Sequence, residues 1–138
     1  MPIPDKPFNV VFNVGEKTTT IFDMNAKTTY DVPHKIDFCP PNLRGNTPLM
    51  RMGDKYITIV HTAVDKEYHH YICVFDDGLH LEHISRRFVF DKFFPVEFVI
   101  NMFHQNHTNN IGMSVTEMDS FQYVYLVDKS KFLEFAYN

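Results

Sequence analysis

The sequence has no run of about 18 apolar residues, so no membrane-spanning helix and no membrane partner is expected. It has little cysteine. Cys39 and Cys73 form no CxxC pair and show no metal-ligand spacing, so they read as two reduced, buried thiols and no metal site is expected. It has no surplus of positive charge: 13 Lys and Arg face 17 Asp and Glu, for a net charge of −4. The basic residues are scattered, and a nucleic-acid partner would need a basic face. The opening stretch, MPIPDKPFNV, has neither a basic n-region nor an apolar h-region. It does not read as a secretory signal, and a cytoplasmic location is the default expectation. No segment carries a convincing 3.6-residue apolar stripe, which argues against helices.

What is present favours strands. The 138 residues are 44% hydrophobic and 15% aromatic, with 14 Phe and 7 Tyr among many Val, Ile and Thr. This is enough for one domain with a real core, spanning residues 1–138. Runs of β-branched and aromatic residues alternate with turn formers: Val10–Val14, Thr18–Asp23 and Lys27–Val32 come first. Pro33–Asn46, with three prolines and a glycine, reads as a loop between two blade-like units. Beyond it lie Leu49–Met52, Tyr56–Val64, Tyr68–Phe75, Leu79–Ser85, Phe88–Phe90, Val96–Phe103, Ile111–Val115 and Gln122–Val127, and a small final segment, Lys131–Phe135. The fold class is all-β. Consecutive hairpins suit antiparallel meanders, as in two to three blades of a partial β-propeller. A β-sandwich is the alternative, with residues 33–46 as its one long crossover.

One hairpin raises a question of function. Arg44 stands just before one strand and His61 near the end of the next. The start of a strand and the end of its antiparallel partner lie at the same edge, so these two side chains are expected to meet at one mouth. An Arg fork and an imidazole suit an anion. With an ordinary His pKa of about 6.5, binding there would strengthen as pH falls from about 8 to 6.

The segments NLRGNTPLMRMGDKYITIVHTAV, YHHYICVFDDGLHLEHISRRFVF, VEFVINMF and IGMSVTEMDSFQYVYLVD follow one another between Asn42 and Asp128. In order and spacing they resemble the later blades of the five-bladed β-propellers of the β-mannoside phosphorylase and hydrolase family. They also resemble the related propeller modules found beside glycosyltransferase domains. The counterparts are Arg44-Gly45, His61, Tyr68–Tyr71, Ile84–Phe88, Glu97-Phe98 and Ile111–Val127. The resemblance implies that Arg44, His61 and Tyr71 bind phosphate, which would be a co-substrate rather than a cofactor. It implies that Asp119 helps hold the sugar. The partner implied is a glycan or sugar phosphate. The proton-donating Asp of an earlier blade has no counterpart, so enzymatic activity of this chain alone is left open. A whole five-bladed propeller needs about 20 strands and about half are present. The chain is therefore read either as part of a longer propeller or as a half that pairs with another copy.

Each candidate has a plainer reading. Arg44 reads also as a loop tie bonding carbonyls, His61 as a satisfied rim histidine, and Asp119 as a turn former. Glu97, within VEFVI, is either buried and paired or faces a cleft as part of the anion and sugar set. His69 and His70 are adjacent on a strand, so they face opposite sides and do not share a metal. Two functions follow: a carbohydrate-active module binding a glycan, sugar phosphate or other anion, or a non-catalytic interaction or self-assembly module with aromatic strands as its core.

Overall fold

A computed structural model describes residues 9–45, 47–64, 67–90, 97–118 and 121–138. The fold is all-β, as expected, with one short helix among the described residues. Strands β1 (Asn9–Val14), β2 (Thr18–Asp23), β3 (Thr28–Pro33), β4 (Leu43–Gly45), β5 (Met50–Met52), β6 (Lys55–Val64), β7 (Glu67–Phe75) and β8 (Leu81–Ile84) form one antiparallel sheet of eight strands. Strands β9 (Glu97–His104), β10 (Asn110–Glu117) and β11 (Phe121–Asp128) form a second, and helix α1 (Lys129–Ala136) follows.

Local chemistry explains most of the boundaries. Gly53, at φ +65°, makes the tight turn between β5 and β6. Asp76 Oδ1 accepts from the N–H groups of Gly78 and His80 and fixes the β7–β8 turn. β6 is buried without a break from Tyr56 to Val60, a mostly apolar run, because both its faces are covered.

The large sheet has the order β3-β2-β1-β4-β6-β7-β8, with β4 and β5 sharing one flank of β6. The expected loop over 33–46 therefore contains a strand, and it joins β1 to β6 within one sheet. Three residues of β4 carry too little periodic pattern to read as a strand; their hydrogen-bonding partners are distant in sequence. The sheet curls into a half-barrel. Its two ends approach where Lys35 N–H donates to Leu81 C=O, His80 Nδ1 meets Pro33 C=O at 2.8 Å, and Lys35 pairs with Asp76.

Two other expectations are corrected. Phe88–Phe90 is not a strand; Phe88 alone bridges to His70. The final segment is a helix: Asp128 caps it by accepting from Ser130 N–H at 2.9 Å, and Phe132 and Ala136, one turn apart, are buried. Two turns are too few for an apolar stripe to stand out from the sequence.

There are two apolar cores. One fills the concave side of the curl, with Val11, Ile21, Leu43, Tyr56, Val60, Cys73, Phe75 and Leu81. Cys39 and Cys73 are free thiols buried there, and burial raises the Cys39 pKa to about 11. The other core lies between the outer face of β5–β7, the three-stranded sheet and α1, with Ile57, Ile59, Ile72, Val74, Val99, Met113, Val115 and Phe132. No helix among the described residues is long and apolar enough to cross a membrane.

Candidate functional site

Register places the chemistry. Asp31 pairs with Thr20, Thr20 with Asn13, Asn13 with Arg44, Arg44 with His61, and His61 with His70. Directly opposed residues of antiparallel strands share a face. These six therefore form one polar row across six strands, on the outer face of the curl. Arg44 and His61 do meet, as adjacent cross-strand partners.

Gly45 makes this seam possible. A β-carbon there would lie 1.8 Å from the carbonyl oxygen of Val11, so any other residue would push β4 from β1. The β1 bulge between Val11 and Asn13 presents that carbonyl. Beside the row is an open, mostly apolar groove of about 480 Å³, lined by Val10, Phe12, Phe22 and Met24, with Arg44, Gly45 and His61 along its side. Phe12 is 57% and Met24 50% exposed, so the groove offers apolar surface to solvent next to an exposed guanidinium.

His61 is not the titrating partner expected. Its ring stacks on Tyr68 (centroids 5.2 Å apart) and meets Phe98 edge-on at 5.1 Å. Burial, then the neighbouring His70 and Arg44, lower its pKa to about 4. A hydrogen bond to the Arg44 backbone opposes that shift only in part. The imidazole is neutral at pH 6–8 and ties β6 to β4. The expected rise in anion binding over that range is therefore withdrawn, because a low-dielectric stack disfavours the charged ring.

Tyr71 does not join the cluster. Side chains alternate along β7, so with His70 on the outer face Tyr71 points inward and packs on the concave core. Asp119 lies outside the described residues.

Glu97 leads to a group that sequence reasoning missed. It is fully buried, its Oε1 accepts from Phe90 N–H at 2.7 Å, and the same oxygen lies 3.2 Å from His70 Nε2. That last contact has the distance of a hydrogen bond without its alignment. Directly opposite Glu97 on β10 stands Glu117, also fully buried. His70, likewise at 0% exposure, packs on Phe88 and Phe90. The polar row thus ends inside the molecule, at two carboxylates supplied by the facing sheet. Nothing in Tyr-His-His-Tyr or VTEMD signals this meeting, because it depends on how one sheet docks on the other.

The arrangement limits the chemistry. Two carboxylates and an imidazole are the parts of an acid–base site, but all three are sealed from solvent and reach no substrate in this conformation. Among the described residues no group of three or more His, Cys, Asp or Glu could hold a metal. The accessible chemistry is at Arg44: one permanent positive charge beside an aromatic groove. No protein-family model, no curated protein and no solved structure matches this chain.

Proposed function

We propose that this chain is a carbohydrate-binding module that holds an anionic glycan or sugar phosphate in the groove beside Arg44. The observation that carries this reading is the register Asn13–Arg44–His61 alongside exposed Phe12 and half-buried Phe22. A sugar ring needs polar groups for its hydroxyls and an apolar wall for its C–H face, and an anionic substituent needs a fixed cation. Asn13 and Thr20 supply the first, the phenylalanines the second and Arg44 the third. The resemblance to glycoside phosphorylase propellers points the same way and adds phosphate as a ligand class. Glu97 and Tyr71, both turned away from the groove, have no contact role in this reading.

Calorimetric titration with sulfate and with mannose 1-phosphate tests it. Mannose 1-phosphate is expected to bind more tightly than sulfate, with little change between pH 6 and 8 beyond the ionisation of the ligand itself. Arg44→Ala is expected to weaken binding by about 1 kcal/mol or more, the scale of a charge-assisted bond at an exposed site. Absence of binding by either ligand at millimolar concentration overturns the reading.

A second reading, an interaction module, has its own observation. β11 is an edge strand among the described residues, and Phe121–Val127 contains no charge, with Val124 61% and Leu126 50% exposed. Uncharged, exposed edges of this kind accept an added strand.

A further inference from the structure

A second cleft lies away from the Arg44 groove and shares no lining residue with it. It opens between α1 and the two sheets, with a volume of about 330 Å³, and is walled by Ile72, Phe88, Met113, Val127, Phe132 and Phe135. Lys131 is the one charged residue on its lining among the described residues. Next to it is a polar compartment of about 320 Å³ formed by Arg86, Lys131, Glu134 and Asn138. Lys131 and Phe135 belong to both. The helix explains the sharing: residues 131, 134 and 135 are spaced i, i+3 and i+4 and line one side of α1, and Asn138 follows just beyond its C-cap. Phe135 forms the partition. Its ring meets Phe88 edge-on at 5.3 Å within the apolar side, and the Arg86 guanidinium sits 4.8 Å from its centroid. That cation–π contact keeps Arg86 at the lip.

From this pairing of compartments we infer a binding site for an anionic amphiphile, an alkyl carboxylate whose chain enters the apolar cleft and whose head meets Lys131 and Arg86. The volume is at the lower end for small-ligand sites, roughly 300–1,000 Å³, so a medium-length single chain fits better than a branched lipid. The charges favour an anion. Arg86 and Lys131 outnumber Glu134, and Asp128, which also feels Lys131, is engaged as the helix cap with Ser130. A cationic head would meet two like charges at the same lip.

Three probes with one chain and different heads separate the head from the body: decanoate, decanol and decyltrimethylammonium, titrated by calorimetry at pH 7. Decanoate is expected to bind most tightly. Decanol is expected to bind roughly tenfold more weakly, the scale of one charge-assisted contact, and the cation weakest of all. Methyl signals of Ile72, Met113 and Val127 are expected to shift with decanoate in carbon–proton correlation spectra. The surface variant R86E/K131E, which leaves the apolar wall intact, is expected to reverse the order of the two charged probes. Equal affinities for the three heads, an unchanged order in R86E/K131E, or shifts confined to methyl groups outside the cleft would each overturn the inference.

Discussion

The two apolar cores lie on opposite faces of the same strands, β6 and β7, and are sealed in different ways. The concave core is enclosed by one continuous sheet whose ends are drawn together by a backbone hydrogen bond, the His80 side chain and the Lys35–Asp76 ion pair. Buried hydroxyls on that side have partners: Thr47 and Thr58 join their hydroxyls at 2.9 Å, Thr58 also donates to Thr47 C=O, and Thr19 Oγ1 meets His34 Nε2 at 3.0 Å. The interlayer core is formed by two sheets and a helix meeting face to face. Facing sheets share no ladder, so side chains alone set how they register. This core borders the buried imidazole and carboxylates of His70, Glu97 and Glu117, and it leaves the cleft beside α1. Within one continuous sheet the backbone ladder fixes strand register, and side chains act mainly where its ends meet. A docked layer makes both its register and its gaps depend on them.

Substitutions can break this contrast. Gly45→Ala is expected to have the largest effect, about 3 kcal/mol of lost stability, because the added carbon meets the Val11 backbone and not a side chain that can swing away. Urea unfolding followed by circular dichroism measures it, and a loss below 1 kcal/mol would mean that the β1–β4 seam is not tight. Glu97→Ala is expected to cost about 2 kcal/mol, since it strips Phe90 N–H of a buried acceptor and His70 of its neighbour. Glu97→Gln keeps an acceptor oxygen for Phe90 and removes one of two opposed buried carboxylates, so it is expected to stay within about 1 kcal/mol of the parent. If Ala and Gln prove equally damaging, the Glu97 charge itself is required between the layers.

The smallest effect sharpens the comparison through pH. The folded pKa of His61, about 4, lies below the ordinary 6.5 of an unfolded histidine. Between these values the unfolded chain binds more protons, so stability present above pH 6.5 is lost as pH falls toward 4. The loss is on the order of 1 kcal/mol after allowing for solvent screening of a half-buried ring. His61→Phe, which preserves the stack on Tyr68, is expected to flatten that part of the stability profile relative to the parent. An unchanged slope would assign the pH dependence to other groups.

Much of the fold was legible because its signals are local. Period-two runs, Gly53 and the Asp76–Gly78 turn mark strands and hairpins wherever they sit, and ten of the strand runs read from sequence correspond to strands in the structure. The meeting of Arg44 and His61 was legible for the same reason, since it follows from hairpin connectivity. β4 was not, because three residues become a strand only when β1 and β6 flank them. Nor was the inward turn of Tyr71. Alternation says that His70 and Tyr71 face apart, but only the pairing of His61 with His70 says which faces Arg44.

By itself, the sequence determined the all-β class, the hairpins and the adjacency of Arg44 to His61, all set by backbone propensity and chain connection over short range. Tertiary structure alone decided that His61 is neutral, that Glu97 faces Glu117 and His70 instead of a ligand, and that a cleft remains beside α1. These depend on burial and on the docking of one sheet against another. Both arise from contacts between segments far apart in the chain, which no local pattern encodes.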